Sequence, residues 1–166
     1  MTRTLTLIRH AKSSWKDAAL GDFERPLNKR GRENAPLMGR RLKEAGIRFD
    51  LVISSPALRA ITTARMITAE LGYSEHSLIE EPRLYGATVS ELLDIVHRLP
   101  DERSRVALVA HNPGLTEFCN YLCDENIANL PTCGIAGIDF ELDTWQAVYR
   151  STGKLSHFEY PRKYGD

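Results

Sequence analysis

Only three cysteines, Cys119, Cys123 and Cys133, occur in 166 residues, too few for the disulfide framework of a small secreted domain. Cys119 and Cys123 stand four apart on an expected helix face, beside Phe118 and Leu122. No third or fourth ligand follows at a metal-site spacing, so all three read as small core residues, the usual habit of free cysteine. An excess of one charge is missing too: Lys plus Arg and Asp plus Glu number 22 each. The chain as a whole therefore has no pull toward nucleic acid or an acidic membrane, and affinity for an anion must come from local clustering of basic side chains. No apolar run approaches membrane-spanning length, and the first residues lack an apolar leader with a cleavage site. A cytoplasmic location is expected, with neither membrane nor nucleic acid as partner. Repeats, low-complexity stretches and Gly/Ser linkers are absent as well. One domain over 1–166 is expected, large enough to bury a core without staples.

What is present alternates between two hydrophobic periods. Thr4–Ile8, Leu51–Ser54 and Val106–Ala110 are short apolar or β-branched runs with the character of strands. Two later strands are expected at Ile135–Leu142 and Gln146–Ser151, turning at Asp143 and Thr144. Helical spacing links Ala60, Ala64, Ile67 and Leu71, with Ser55 as the expected N-cap, Pro56 at the first position and Gly72 as the stop. Thr88 and Glu91 form a capping box ahead of Leu92, Leu93, Val96 and Leu99. Asn112 and Pro113 open a further helix. Asn28–Gly46 is helical in pattern, and Pro36 predicts a kink or a late start. Strand–helix alternation predicts an α/β three-layer sandwich with a mainly parallel sheet flanked by helices. Ligands of such sheets bind at the carboxyl ends of the strands.

Three of those ends carry chemically loaded residues. The first strand runs into Arg9, His10, Ala11, Lys12 and Ser13. Leu51–Ser54 runs into Ser55 and Pro56, with Arg59 just beyond. Val106–Ala110 runs into His111, Asn112 and Pro113. Singly, each would read as a solvated or hydrogen-bonded side chain. Together they bring two histidines and two arginines to one sheet edge, beside helix N-termini whose free N–H groups favour anions. Phosphoryl transfer needs mainly positioning and charge stabilisation. Arginine supplies a forked, permanently charged donor set, and neutral imidazole is nucleophilic near pH 7. Neither a metal nor another cofactor is expected. His76, His97 and His157 read as polar surface residues, and Tyr160–Asp166 as a surface tail with aromatic anchoring.

Leu7–Trp15, Ser54–Ala60 with Thr63 and Ala64, and Val109–Gly114 resemble the histidine phosphatase superfamily, and more narrowly its phosphohistidine phosphatase (SixA-like) branch. Glu24–Gly31, Pro131–Ala136 and Trp145 are similar to that branch as well. The resemblance implies a phosphoglycerate mutase-like fold, transient phosphorylation of His10, and phosphoryl binding by Arg9, Arg59 and His111. It further implies hydrogen bonds from Ser13 and Asn112, with Lys12 and Arg25 at the rim. Lys12 and Lys16 stand where mutase-like relatives usually carry Glu and Asn, which weakens a mutase reading. Those relatives also use a glutamate to protonate the leaving oxygen. Glu81 is the nearest candidate, although its spacing differs by one and no Gly-rich stretch follows.

The leading expectation is a metal-independent phosphatase acting on phosphohistidine in proteins. Small phosphate esters are the alternative substrate, and a non-catalytic phosphate-binding module is a third reading. The intact set of Arg9, His10, Arg59 and His111 argues against the third. Short connections without a long insertion predict an open site suited to a protein substrate. The sequence leaves the partner protein and the oligomeric state open.

Overall fold

The computed structural model describes residues 1–164. Among the described residues six strands form one sheet: β1 (Thr2–Arg9), β2 (Leu51–Ser54), β3 (Ile79–Glu80), β4 (Arg105–Ala110), β5 (Ile135–Glu141) and β6 (Lys154–Glu159). Their spatial order is β3-β2-β4-β1-β5-β6. The first four in that order pair in parallel, whereas β5 and β6 join antiparallel at one side. The sheet is therefore mixed, with the parallel strands that carry the motifs kept together.

Four α-helices among the described residues cover it: α1 (Lys29–Glu44), α2 (Leu58–Glu70), α3 (Val89–His97) and α4 (Gly114–Cys123). Side chains alternate across a strand, and the two faces sort accordingly. Leu5, Leu7, Ile53, Leu108 and Ile138 pack with Leu92, Val96, Leu115 and Phe118 of α3 and α4. Ile8, Val52, Ala107, Val109 and Ile135 pack with Met38, Leu42, Ala60 and Ile67 of α1 and α2. A three-layer sandwich results. The three cysteines are free and buried.

The Thr88–Glu91 capping box forms with both reciprocal bonds. Other expected ends move. Helix α2 starts at Leu58 behind an Ala57 N-cap, and Ser55 Oγ instead accepts the Ala57 N–H. Helix α1 starts directly after Asn28, whose side chain accepts the Gly31 N–H, and runs unbroken through Pro36. There is no late start.

Gln146–Ser151 is not a strand. Residues Trp145–Ala147 form a 3-10 turn because Trp145 is buried and its indole N–H donates to the Arg103 carbonyl. The last strand comes later, at Lys154–Glu159, and carries His157, which is half-buried rather than in a loop. The tail is anchored by Arg41 on the Tyr160 and Pro161 carbonyls and by Tyr164 on Glu159. Gly165 and Asp166 of that expected tail lie outside the described residues. No helix among the described residues is long and apolar enough to cross a membrane.

Candidate active site

Strands β1 and β4 are neighbours in register, Arg9 opposite Ala110, so His10 and His111 emerge side by side at the carboxyl edge. Their ring centroids are 5.1 Å apart. Backbone bonds fix the end of β1: Arg9 N–H donates to the Gly134 carbonyl, and the His10 carbonyl accepts from Cys133. The Ala11 N–H donates to Thr63 Oγ1, and that hydroxyl donates to the Arg59 carbonyl. One threonine of α2 thus ties the loop after His10 to the backbone of Arg59. At Gly31 a Cβ would collide with the Lys12 carbonyl oxygen. Only glycine lets the start of α1 press against this loop.

The protonation states follow from the partners. His10 Nδ1 lies 2.7 Å from the Ala11 carbonyl. A carbonyl can only accept, so the ring proton sits on Nδ1 and Nε2 keeps its lone pair. His111 Nε2 lies 2.8 Å from Ser55 Oγ. Because Ser55 Oγ already accepts the Ala57 N–H, we assign its hydroxyl hydrogen to His111 Nε2, which places the proton of the neutral ring on Nδ1. Burial, reinforced by Arg59, Arg9 and Arg25, pushes the His10 pKa down to about 4. Burial and the charges of His10 and Arg59 push His111 down to about 3. Both rings are neutral at pH 7.

Around these rings lie donors without acceptors. Arg9 Nε, Arg59 Nε and His111 Nδ1 are buried and have no hydrogen-bond partner among the described residues. Buried polar groups are seldom left unsatisfied, and these three belong to side chains at the carboxyl edge of the sheet where His10 stands.

The other expected residues divide. Arg25 is buried, donates to Ser13 Oγ at 2.6 Å and stacks 3.5 Å over the Trp15 ring, so Ser13 and Arg25 meet at the rim. Asn112 is occupied elsewhere. Its amide donates to Asn129 and Leu130, and its Oδ1 accepts from the Thr116 N–H and hydroxyl. Its donors and acceptor are spent tying α4 to the 129–130 loop. Lys12 is exposed and lines a separate groove of about 340 Å³ with Arg30, Asn34 and Thr132. Glu81 caps the short Pro82–Leu84 turn by accepting the Arg83 N–H. Among the described residues no group of three or more His, Cys, Asp or Glu is arranged to hold a metal ion.

Two residues of this site escape a reading of the sequence. Asp22, in the Asp22–Glu24 3-10 turn, accepts from Arg59 through both its backbone carbonyl at 2.6 Å and its Oδ2 at 2.9 Å. Its Oδ1 pairs with Arg25 at 3.1 Å, and the Tyr85 hydroxyl donates to Oδ2 at 2.6 Å. The Tyr85 ring meets His111 edge-on with centroids 5.5 Å apart, and Phe23 stacks edge-on against Tyr85 at 5.2 Å. The Asp22–Glu24 turn and Tyr85 thus lie against Arg59 and His111, and His10 itself is 8% exposed. No hydrophobic period marks Asp22 or Tyr85; the only sequence cue is that Asp22 closely precedes the Glu24–Gly31 stretch and Tyr85 closely follows Glu81.

Comparison with known proteins gives this geometry a context. The family model described as "Histidine phosphatase superfamily (branch 1)" matches residues 5–92. An uncharacterised chloroplastic protein of Arabidopsis thaliana is 31% identical over 162 residues, 92% of this chain and 73% of that one. The 2,3-bisphosphoglycerate-dependent phosphoglycerate mutase of Bartonella henselae is 40% identical over 94 residues. That match covers 55% of this chain but only 46% of the mutase. Among solved structures, an Agrobacterium tumefaciens protein assigned as phosphohistidine phosphatase SixA superposes with a TM-score of 0.81. It is 24% identical, and the match covers 96% of this chain and 98% of that one.

Proposed function

Because the chain belongs to the histidine phosphatase superfamily, we propose that it hydrolyses phosphomonoesters or phosphoramidates through a phosphoryl group carried on His10. The observation that carries this reading is the trio of unpartnered buried donors, Arg9 Nε, Arg59 Nε and His111 Nδ1, gathered around a histidine held with its Nε2 lone pair free.

In the first half-reaction His10 Nε2 attacks phosphorus, the P–N bond forms, and the bond to the leaving group breaks with its electron pair. Arg9, Arg59 and His111 hold the equatorial oxygens as charge spreads onto them. Water then attacks the phosphohistidine, the P–Nε2 bond breaks, and orthophosphate and a proton leave. His10 returns to its neutral form.

Small phosphorylated molecules are the better supported substrates. The curated mutase relatives bear names that specify a small phosphorylated acid. One observation favours phosphohistidine as a second reading. The two carboxylates considered for protonating a leaving alkoxide are otherwise engaged: Glu81 is a turn cap, and Asp22 is ionised on two arginines. General acid catalysis is typically worth about 10²–10⁴-fold for a poor leaving group, and imidazole leaves without that help.

A turnover comparison between a panel of small phosphate esters and a phosphohistidine-bearing protein separates the two. Brief exposure to substrate is expected to leave acid-labile, base-stable phosphate on the enzyme. Absence of any covalent phosphate, with turnover retained in His10→Ala, would falsify the mechanism.

A further inference from the structure

We infer that Asp22 is a specificity-determining residue which matches the charge of the pocket to a dianionic phosphoryl group and so keeps the phosphate product releasable. The inference rests on the phosphatase reading above and deepens it.

Three guanidiniums, those of Arg59, Arg9 and Arg25, act on His10 electrostatically, while both histidines are neutral at pH 7. Asp22 is the carboxylate paired to two of those three arginines. Three positive charges against one negative leave the pocket doubly positive. A phosphoryl monoester approaches a double negative charge above its second pKa of about 6. Substrate and pocket therefore neutralise each other on binding. Without Asp22 the pocket would hold one unopposed positive charge, and that excess would act on bound orthophosphate as strongly as on the transition state. Such uniform binding slows release without speeding chemistry.

Geometry allows Asp22 and a phosphoryl group to share Arg59. Asp22 occupies the terminal fork of the guanidinium, Nη1 and Nη2, and leaves Nε free. Anchoring that fork also aims Nε, since a planar guanidinium held at two points cannot turn. A role as proton donor fits the surroundings poorly. Among the described residues every group bonded to the Asp22 carboxylate is a donor, Tyr85, Arg59 and Arg25, and each favours the ionised form. The Tyr85 hydrogen bond, with Arg59 and Arg25 behind it, holds the pKa down to about 2.

The test compares the full-length protein with Asp22→Asn. Binding of orthophosphate and of vanadate is measured by calorimetry, and kcat, KM and inhibition by phosphate are measured on an aryl phosphate. Removing one nearby charge is expected to tighten orthophosphate about tenfold, an effect that weakens as salt is raised. The constant kcat should fall as release slows and KM should fall further, so that kcat/KM rises by up to about tenfold. Asp22→Glu, which keeps the charge, should bind phosphate within about twofold of the unmodified protein. Asp22→Ser is run in parallel as a second neutral variant; the Asp22 side chain is 48% exposed, so replacing it opens no cavity.

Unchanged or weaker phosphate binding in both neutral variants overturns the inference. So does a rate loss that grows with leaving-group pKa, which would make Asp22 a proton donor. Tighter phosphate binding without any turnover in the unmodified protein would uphold the charge match and refute the phosphatase reading. Turnover with no change in phosphate binding would do the reverse.

Discussion

Strand β1 carries an arginine near each end, and the two could hardly be used more differently. Arg3, at the amino end, is 2% exposed. Its three nitrogens donate to the carbonyls of Leu142, Asp101 and Asp143, and its guanidinium lies 5.4 Å from the Trp145 ring centroid. Arg9, at the carboxyl end, donates to a single carbonyl, that of Leu130, and its buried Nε has no partner among the described residues. The same residue type on one strand is satisfied at one end and left wanting at the other. Burial of an arginine therefore says little about function. Burial with a donor left over is the informative feature, because leaving such a group unmet costs about 1–3 kcal/mol unless a ligand meets it.

Substitutions can break this contrast. The largest effect is expected at His10, between the unpartnered donors. His10→Ala should lower turnover by about 10⁴-fold or more, as removal of a nucleophile does elsewhere, while its melting curve stays cooperative. Rapid covalent labelling with substrate checks the step directly.

Next in size is the pair Arg59→Ala and Arg3→Ala. The first should cost about 10²–10³-fold in kcat, the scale for one donor lost from a preorganised anion site. Arg59→Lys should recover little of it, since a point charge lacks the fork. By contrast, Arg3→Ala should leave kcat within about threefold yet destabilise the fold by about 1–3 kcal/mol, because three carbonyls lose their donor. Denaturant unfolding read beside steady-state kinetics tests both. A kinetic defect in Arg3→Ala equal to that of Arg59→Ala would erase the distinction.

A pH titration gives a smaller, graded effect. The folded pKa values of His10 and His111 are depressed to about 4 and about 3, below the usual 6.5 of an unfolded histidine. Between pH 6.5 and 4 the unfolded chain binds protons that the folded chain refuses. The contribution of the pair to stability is therefore complete above pH 6.5 and falls as the pH falls through that window. In kinetics, the free enzyme's acid limb, read from kcat/KM after allowing for the substrate's own ionisation, should lie near pH 4. A limb at 6.5 would mean that the imidazoles are solvated.

The smallest change is predicted for Glu81→Gln, under threefold on any leaving group, because its carboxylate is a turn cap. A leaving-group series measured on this variant would expose a proton donor as a steepened slope.

Much of this arrangement is legible in the chain because it is local. The capping box at Thr88 and Glu91 forms as its pattern predicts, since both of its bonds close within four residues. The runs Leu51–Ser54 and Val106–Ala110 become parallel strands buried on both faces. Their chemical residues consequently emerge at one edge, as the topology of parallel sheets requires. Departures from expectation cluster where distant partners override local pattern. Ser55 has the pattern of a helix cap, but it holds His111, 56 residues away. Val148 and its neighbours have the pattern of a strand, yet the Val148 carbonyl meets His97 and the side chain is buried in the α3–α4 core.

The site divides along the same line. Arg9, His10, Arg59 and His111 can be named from sequence because each stands at or shortly after the end of a strand, and strand ends are marked by short-range hydrophobic period. Asp22 cannot be named in that way. Its partners Arg59 and Tyr85 lie 37 and 63 residues away, and no local rule reports which carboxylate will reach which guanidinium. The sequence by itself determined which groups come to the edge of the sheet. Only the tertiary structure decided which of their donors are satisfied internally and which are left without a partner, because hydrogen-bond satisfaction depends on whatever the rest of the fold brings within about 3 Å.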